Sequence, residues 1–459
     1  MLQINKALAR TLSAFGLAAI VGLVAGCGGG GGSSSTASTT SSSGSTGGTT
    51  SGNTSGSSSL VVSGPVSSTP ASLATNQVAV LVSSAMGAAN IPMVSVTVCQ
   101  HGTSVCQTIN NIQLDTGSTG LRLTSSALNS TMLNALPVET VSGQAVAECM
   151  GFADGSSWGS VRLADVKIGG ESATATSGMP IHILGDIAQS AAGGSNNACA
   201  SPTTLHDTPF ALAANGILGI GTAMYDCGTG CQVTTNNDLY YGCTLSGGTM
   251  SNCTDLAVPN TQQVANPVQF FASGNTNGVI LDMPSVGATG ATSASGYLTF
   301  GLGTQSNNAV PSSGIQKFTT DHYGDVQSAS LGGATYNDTS SNQRAAFFDT
   351  GSNGLFFPDT PGILACADLS GFFCPASAVA LQPSVTGFNS VTATIPISIG
   401  NWLDLRNGGG FAFSNLGGNG GLLAIDFGMP FFYGRKVYVN YDTASSGTLN
   451  VGTTAYVAF

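Results

Sequence analysis

Charged side chains are scarce in this sequence. Asp, Glu, Lys and Arg make up 7% of its 459 residues, against about a quarter in an ordinary globular protein. Only 10 residues are Lys or Arg, and the formal net charge is −11. A basic surface for phosphate contacts is therefore excluded, and we expect no nucleic-acid partner. The shortage of Glu and Lys also excludes a coiled coil or a long helical bundle.

Long apolar runs are also few, and the one that approaches the length of a membrane span lies at the start of the chain. Lys6 and Arg10 form a basic region ahead of the apolar residues 11–24, as in an export signal. The run ends in Val-Ala-Gly-Cys27, which resembles the bacterial lipobox. Residues 1–26 are therefore predicted to be a lipoprotein signal peptide, and Cys27 to carry the lipid.

A low-complexity segment follows the predicted lipid site. Residues 28–59 contain only Gly, Ser and Thr apart from Ala37 and Asn53. Such a composition buries no apolar surface, so we predict a disordered tether over 27–75, whose low-complexity part spans roughly 30 Å as a flexible coil. Gly28 is not the Asp that retains enterobacterial lipoproteins at the inner membrane. We therefore expect a lipid-anchored protein of the bacterial cell envelope, with the outer membrane favoured.

The cysteine count agrees with export. Of 11 cysteines, ten remain when Cys27 is set aside: Cys99, Cys106, Cys149, Cys199, Cys227, Cys231, Cys243, Cys253, Cys366 and Cys374. An even number in an exported chain predicts up to five disulfides. Cys99–Cys106 and Cys366–Cys374 are the expected local pairs, and the sequence leaves the pairing of the other six open.

Histidine is rare, and its placement offers no metal site. The four histidines are scattered: His101, His182, His206 and His322. Cys227 and Cys231 are spaced like a pair of zinc ligands, but a thiolate zinc site is not expected in an oxidising compartment. We therefore predict no metal and no cofactor.

The folded part, from about residue 76, is predicted to be all-β. Short runs of β-branched and aromatic residues are separated by Gly, Asn, Asp and Ser. Examples of such runs are residues 78–82, 94–98, 296–300 and 437–441. Many short strands at close spacing are typical of sandwich or barrel architectures.

One string in this folded part occurs twice. Asp-Thr-Gly-Ser-x-Gly-Leu begins at Asp115 and again at Asp349, and apolar residues precede each copy. A duplicated motif of this length predicts two homologous lobes, here 76–264 and 265–459.

The repeated string has a chemical rationale. A buried strand delivers an Asp to a tight turn, where Gly allows backbone donors to approach the carboxylate. Two such turns facing each other would bring the two carboxyl groups together, and like charges at that distance share one proton. The ionised member accepts a proton from water while the protonated member donates to a carbonyl oxygen. Together they would hydrolyse a peptide bond without a metal.

The sequence resembles the pepsin-like aspartic proteases, and the resemblance extends beyond these motifs. Residues 215–221 resemble the segment that crosses behind the first catalytic loop in that family, and residues 422–429 resemble its counterpart in the second lobe. Residues 152–159 are similar to the family's flap, and residues 295–301 to a strand early in its second lobe. The resemblance implies an all-β, bilobal fold with the active cleft between the lobes.

The resemblance also implies site residues. The expected catalytic pair is Asp115 and Asp349. The residues expected to brace and support the two loops are Thr116, Gly117, Ser118, Thr350, Gly351 and Ser352. The residues of the expected substrate flap are Phe152, Ala153, Asp154, Gly155 and Ser156.

The sequence departs from the family in and near the flap. Phe152 replaces the usual flap Tyr and lacks its hydroxyl, and Arg122 replaces the Trp that usually follows the first Asp by seven residues. We expect Arg122 to be a solvated or cleft-rim charge, and Trp158 to fill the space left by the missing Trp. Asp154 would shift activity toward higher pH if it faces the catalytic pair, and would not if it points outward.

A long Cys- and Asn-rich insertion spans residues 222–264. It could cap the cleft or bind a partner, and our default expectation is a disulfide-stapled surface loop.

These observations predict an aspartic endopeptidase in the cell envelope. The alternative is a catalytically inactive pepsin-like lipoprotein that binds peptides or envelope partners. In both cases we expect a monomer whose partners are a peptide or protein and, through the lipid, a membrane.

Overall fold

The computed structural model describes residues 72–193, 197–202, 204–339, 344–358, 360, 362–368, 370–442 and 454–459. The predicted signal peptide, Cys27 and nearly all of the predicted tether lie outside these residues. Within them, strands dominate and helices are short. In these ranges no helix has the length and apolar character needed to cross a membrane.

The first lobe contains strands β1 to β12. Their bounds are β1 (Gln77–Val82), β2 (Pro92–Cys99), β3 (Cys106–Asp115), β4 (Thr119–Thr124), β5 (Thr140–Val141), β6 (Gln144–Gly151), β7 (Ser156–Ile168), β8 (Glu171–Ala173), β9 (Met179–Leu184), β10 (Gly216–Ile220), β11 (Tyr240–Ser246) and β12 (Thr249–Asp255).

The second lobe contains strands β13 to β27. Their bounds are β13 (Gly278–Asp282), β14 (Ala294–Phe300), β15 (Lys317–Thr319), β16 (Ser328–Leu331), β17 (Ala334–Asn337), β18 (Ala346–Phe348), β19 (Leu355–Phe356), β20 (Val379–Leu381), β21 (Ser384–Thr386), β22 (Thr392–Thr394), β23 (Ile397–Ile399), β24 (Gly417–Gly418), β25 (Ile425–Phe427), β26 (Lys436–Asn440) and β27 (Tyr456–Ala458).

The helices lie between these strands. The α-helices are α1 (Ser130–Ala135), α2 (Pro209–Leu212), α3 (Thr229–Val233), α4 (Trp402–Asn407) and α5 (Met429–Phe432). Single 3₁₀ turns occur at Ser84–Met86, Ser125–Ala127, Gln189–Ala191, Ala198–Ala200, Asn260–Gln262 and Pro267–Phe270.

One 17-stranded sheet runs through both lobes. Strand β1 joins them, because it pairs antiparallel with β2 in its own lobe and with β14 in the second lobe. Three smaller sheets complete the second lobe, with the strand orders β17-β16-β21-β22, β18-β25-β19-β24 and β20-β23. The prediction of an all-β, bilobal fold is confirmed.

The same three-strand arrangement occurs once in each lobe. In the first lobe β10 runs parallel to β3 and antiparallel to β4, with Leu218 opposite Leu114. In the second lobe β25 runs parallel to β18 and antiparallel to β19, with Phe427 opposite Phe348. Asp115 is the last residue of β3, and Asp349 follows β18 directly. Two buried strands therefore deliver the two carboxyl groups from equivalent positions.

The insertion at 222–264 is part of the sheet and not the surface loop that was expected. It contains α3 and the hairpin β11–β12, and β11 pairs antiparallel with β6 from Tyr240↔Glu148 to Cys243↔Ala145. Because β6 leads into the predicted flap, the insertion widens the sheet that carries the flap.

The disulfides are local or lie in this widened region. Cys99–Cys106 and Cys366–Cys374 are bonded as predicted. The pairs that the sequence left open are Cys149–Cys199, Cys227–Cys231 and Cys243–Cys253. Cys149 lies in β6, so one of these bonds ties the flap strand to the 3₁₀ turn at Ala198–Ala200.

Arg122 is fully buried, so the expectation of a solvated charge is wrong. Its guanidinium lies 2.7 Å from Glu148 Oε1 and 2.9 Å from Asp226 Oδ2, and it donates to the Thr119 carbonyl oxygen. Tyr240 donates a further hydrogen bond of 2.7 Å to Asp226. A buried cation requires such partners, because removing an unpaired charge from water is very costly. We call these five residues the Arg122 network.

The two carboxyl groups of the Arg122 network have pKa values shifted in opposite directions. Burial and the neighbouring Glu148 charge raise the pKa of Asp226 well above its ordinary value. Burial alone would raise the pKa of Glu148, but the charge of Arg122, the neighbouring His182 and hydrogen bonds from Arg122 and Asp226 together lower it. The network therefore pairs the Arg122 cation with two carboxyl groups, of which Asp226 is shifted toward the neutral form and Glu148 toward the ionised form. It joins β4, the flap strand β6 and the insertion.

Trp158 does not take the place of the missing Trp. Its ring packs edge-on against Tyr241, 5.6 Å between centroids, in a small core cluster of the first lobe. Phe152 packs against a different cluster, beside Val146 and Tyr240. The buried Arg122 network, rather than an aromatic ring, follows the first Asp-Thr-Gly-Ser motif.

We expect Arg122→Met to lower the free energy of unfolding by about 3–5 kcal/mol, because it leaves Glu148 buried without its cation. Without Arg122, burial raises the pKa of Glu148 in the folded protein above its pKa in the unfolded chain. Such a carboxyl group destabilises the fold increasingly as the pH rises above the unfolded pKa. The loss should therefore be larger at pH 7 than at pH 5 in chemical denaturation.

The matched control is Arg406→Met. Arg406 lies 3.6 Å from Asp368 with 45% of its side chain exposed, so its removal should cost less than about 1 kcal/mol. Equal losses for the two Met variants would show that the Arg122 network does not stabilise the lobe.

Candidate active site

The first motif forms a tight loop around the Asp115 carboxyl group. The Gly117 N–H donates to Asp115 Oδ1 at 2.7 Å, and the Ser118 hydroxyl donates to Oδ2. Asp115 is 7% exposed. The loop therefore satisfies both carboxyl oxygens and holds the side chain in one orientation.

The second motif repeats this arrangement. The Gly351 N–H donates to Asp349 Oδ1 at 2.7 Å, and the Ser352 hydroxyl donates to Oδ2 at 2.9 Å. Asp349 is partly exposed. Identical donors at identical offsets make the two loops equivalent at the level of individual hydrogen bonds.

Two threonines bond the loops to each other. The Thr116 N–H donates to Thr350 Oγ1 at 3.0 Å, and the Thr350 N–H donates to Thr116 Oγ1 at 3.0 Å. Each hydroxyl also donates across the interface, from Thr116 to the Phe348 carbonyl oxygen at 2.8 Å and from Thr350 to the Leu114 carbonyl oxygen at 2.7 Å. Both threonines are buried, so water does not compete for these bonds.

The two motif glycines allow the carboxyl groups to meet. A Cβ atom on Gly117 would lie 2.5 Å from Asp349 Cγ, and one on Gly351 would lie 2.6 Å from Asp115 Oδ1. Any other residue at either position would push the opposite carboxyl group away. The motif glycines are therefore needed for the close approach of the two lobes.

The electrostatics of the pair are those of two carboxyl groups with one proton. Burial is the largest of the causes that raise the pKa of Asp115 well above its ordinary value. The charge of Asp349 and a hydrogen bond to Asp349 raise it further. The donors Ser118 and Gly117 act in the opposite direction and do not cancel this effect. The raised pKa of Asp115 therefore favours a pair that shares one proton.

A third carboxyl group, Asp426, lies beside the pair. It belongs to β25, where it is opposite Phe347 of β18 and Phe356 of β19, and it is 2% exposed. Sequence analysis missed it as a site residue, although it is a charged residue in an otherwise apolar string. Its equivalent in the first lobe is Ile217, which lies opposite Gln113 of β3.

A cleft of about 700 Å³ surrounds the pair and is lined by residues of both lobes. Asp115, Asp349 and Asp426 lie on its wall. Its aromatic lining residues include Phe152, Phe210, Phe356, Phe372, Trp402 and Phe413. An apolar cleft with a few convergent polar groups is the usual form of a ligand site.

The predicted flap residues form the tip of the β6–β7 hairpin. The Phe152 N–H donates to the Gly155 carbonyl oxygen at 2.7 Å, which closes the turn. Phe152, Ala153 and Asp154 line the cleft. A Cβ atom on Gly155 would lie 2.6 Å from His206 Nε2, so glycine is needed where the 204–212 segment crosses the hairpin.

Asp154 pairs with His206, a residue that sequence analysis did not select. Asp154 Oδ1 lies 3.1 Å from His206 Nε2, and His206 Nδ1 lies 3.0 Å from the Ala211 carbonyl oxygen. Both ring nitrogens thus face acceptors, which only the protonated imidazolium satisfies fully. Burial would lower the pKa of His206, but Asp154 outweighs it and raises that pKa. We call this contact the flap latch.

Among the residues that the structure describes, no group of three or more His, Cys, Asp or Glu side chains has the geometry of a metal site.

We expect the flap latch to loosen as pH rises. A histidine with a raised folded pKa stabilises its contact fully at low pH and loses it as pH rises above the ordinary value of 6.5. Hydrogen exchange of residues 151–156, corrected for intrinsic rates, should therefore accelerate up to about fivefold across this range, as for a partly exposed ion pair. His206→Gln should abolish the change.

The control for the flap latch is His101→Gln. His101 lies 2.8 Å from Asp165 in a different part of the first lobe, so its loss should leave exchange at 151–156 unaltered. Exchange that is independent of pH in the parent would contradict the latch.

Comparison with known proteins identifies the family to which the chain belongs. A comparison with curated proteins found no match. Among solved structures, the chain is similar to the crystal structure of aspartic proteinase from Irpex lacteus, with 16% sequence identity and a TM-score of 0.46. The alignment covers 83% of this chain and 96% of that proteinase chain. Residues 72–459 match the family model described as protein of unknown function (DUF3443). The match includes every residue that the structure describes, and the chain belongs to the DUF3443 family.

Proposed function

We propose that this protein is an aspartic endopeptidase that hydrolyses peptide bonds with a water molecule activated by Asp115 and Asp349. The observation that carries the proposal is the equivalence of the two loops, which hold two carboxyl groups together with matched donors. Such a pair supplies a general base and a general acid at the same point.

The mechanism follows from the charge state of the pair. In this mechanism Asp349 is the base, and it accepts a proton from a water molecule as the water oxygen bonds to the scissile carbonyl carbon. The protonated Asp115 donates its proton to the carbonyl oxygen, which gives a neutral tetrahedral diol. Collapse of the diol breaks the C–N bond, with proton transfer from the Asp349 side to the leaving nitrogen, and a diol proton returns to Asp115.

The cleft supports a peptide as substrate. It is open to solvent, has aromatic walls and is covered on one side by the flap at 152–156. An extended chain can place apolar side chains on these walls while the flap limits access of bulk water to the pair.

We expect Asp115→Asn and Asp349→Asn each to lower peptide cleavage by about 10²–10⁴-fold, the range for loss of general acid–base catalysis. The measurement is mass spectrometry of a mixed peptide library, incubated with the full-length protein in detergent from about pH 3 to about pH 7. Asp404→Asn, an exposed Asp in α4, is the control substitution and should cleave like the parent.

A second candidate function is peptide binding without turnover. It is favoured by Phe152, which brings no hydroxyl to the flap tip, and by the flap latch, which anchors the flap to the 204–212 segment. Peptides retained by the parent and by Asp349→Asn alike, with no cut at any pH, would support this function and reject the endopeptidase.

We further propose that the protein acts in the bacterial cell envelope, anchored through a lipid on Cys27. The basic and apolar residues of 1–26 and the lipobox-like end support this location. Five disulfides support it too, because such bonds persist in oxidising compartments.

We expect Cys27→Ser to abolish lipid attachment and move the protein from the membrane to the soluble fraction. The measurement is detergent phase partitioning together with the intact mass of the purified protein. Ser33→Ala, in the same low-complexity segment, is the control and should stay with the membrane. Membrane retention of Cys27→Ser would reject the anchor.

A further inference from the structure

Gln113 is a polar side chain in the cleft wall that the proposed mechanism does not use. It lies in β3, two residues before Asp115, and residues two apart in a strand point to the same face of a sheet. Gln113 therefore lines the cleft beside Asp115 and Asp349. The equivalent position in the second lobe, two residues before Asp349, is the apolar Phe347. The strand and loop that carry each carboxyl group do not themselves require a polar residue here.

One end of the Gln113 amide is fixed to the loop of the other lobe. Its Nε2 donates to the Gly351 carbonyl oxygen at 2.8 Å. A carbonyl oxygen can only accept, so this contact assigns the nitrogen to that end of the amide and the oxygen to the other. The Gly351 N–H donates in turn to Asp349 Oδ1. The Gln113 side chain is therefore held against the loop that carries the second carboxyl group.

The other end of the amide is open. No residue in the described part of the chain donates to Gln113 Oε1, and this atom is not among the side-chain oxygens that are closed off from solvent. A side-chain amide oxygen can accept two hydrogen bonds. Because Gln113 is 7% exposed and lines the cleft, the cleft is where a donor can reach this oxygen. Oε1 is therefore an acceptor of fixed orientation with no donor from the described residues.

Asn90 shows how a side-chain amide with a purely structural role is bonded in this cleft. It is fully buried, and its Nδ2 donates to the carbonyl oxygens of Asn353 and Phe413, both at 2.9 Å. Its Oδ1 accepts from the Phe413 N–H at 2.7 Å and from the Tyr433 hydroxyl at 3.0 Å. Every hydrogen-bonding position of Asn90 is thus used, whereas Gln113 spends one donor and keeps its acceptor free.

A peptide backbone supplies the donor that Gln113 lacks. In an extended chain, successive N–H groups point to opposite sides, and apolar side chains on the aromatic walls leave these N–H groups in need of acceptors. The scissile bond must lie at the carboxyl pair, so the N–H that reaches Gln113 belongs to a residue close to that bond.

We propose that Gln113 is a substrate-positioning residue whose Oε1 accepts a hydrogen bond from one backbone N–H of the bound peptide, close to the scissile bond. The inference rests on the proposed function and deepens it. It predicts a substrate rule that does not depend on side-chain type: one peptide position must carry an N–H, so proline or an N-methylated residue is rejected there.

The test is an N-methyl scan, measured as binding so that it does not depend on turnover. A mixed library of linear octapeptides is passed over the full-length Asp349→Asn protein in detergent, and the best-retained peptide is resynthesised with one N-methyl group at each backbone nitrogen in turn. One position should lose about tenfold in affinity, because its N–H is gone and Oε1 stays unpaired. Gln113→Met in the same background removes both amide atoms at similar side-chain length. It should reduce that one penalty to below about twofold and leave the penalties at other positions as they were.

The matched control is Gln107→Met, the same substitution in the same strand. Gln107 Nε2 donates to the Ala127 carbonyl oxygen away from the cleft, so the control should keep the full penalty at the sensitive position. A uniform loss of affinity in Gln113→Met, with that penalty retained, would mean that Gln113 only braces the Gly351 loop and would overturn the inference. A library from which no peptide is retained would overturn it too.

Cleavage of the same peptides by the parent separates the two proposals. Binding that shows the Gln113-dependent penalty, without any cut by the parent, would reject the endopeptidase and retain the role of Gln113. Cleavage by the parent, with no N-methyl penalty relieved by Gln113→Met, would retain the endopeptidase and overturn the role of Gln113.

Discussion

The reciprocal hydrogen bonds between Thr116 and Thr350 are the constraint on which the site depends. Two carboxyl groups repel each other when both are ionised, so something must hold them at contact distance. Four bonds between the loops do so, and all four are buried with the threonines. The loops cannot separate without exposing several unpaired backbone groups, which sets a high cost on opening the pair. The shared proton is a consequence of this rigid approach.

The parts of this site that the sequence predicted are those encoded locally. In each loop the consecutive residues Asp, Thr, Gly and Ser form a single turn. The repeated motif at Asp115 and Asp349 therefore predicted both the two lobes and the pair of carboxyl groups. The close cysteine pairs, such as Cys99–Cys106, were predictable for the same reason. The lining of the cleft was not, because it combines residues from segments that are distant along the chain.

The residues that sequence analysis misjudged or missed are charged residues whose neighbours in the fold are distant along the chain. Arg122 was expected at the surface, since its partners Glu148 and Asp226 are 26 and 104 residues distant. Asp426 was read as part of an apolar crossing segment. In both cases the available signal was a charge in a strand otherwise composed of apolar residues. Such a charge is tolerated only where the fold supplies a counter-charge or a proton.

Two groups at the cleft, Asp115 and His206, have raised pKa values. The pair requires one proton, which the raised pKa of Asp115 retains over a wider range than an isolated Asp would. The flap latch requires protonated His206, whose pKa is also raised, so both protonated forms extend to higher pH than in isolated side chains. In the proposed endopeptidase, a latched flap would shield the pair from bulk water and would also slow the exchange of peptides. The proposed chemistry of the pair and the access of peptides to it are therefore both expected to depend on pH.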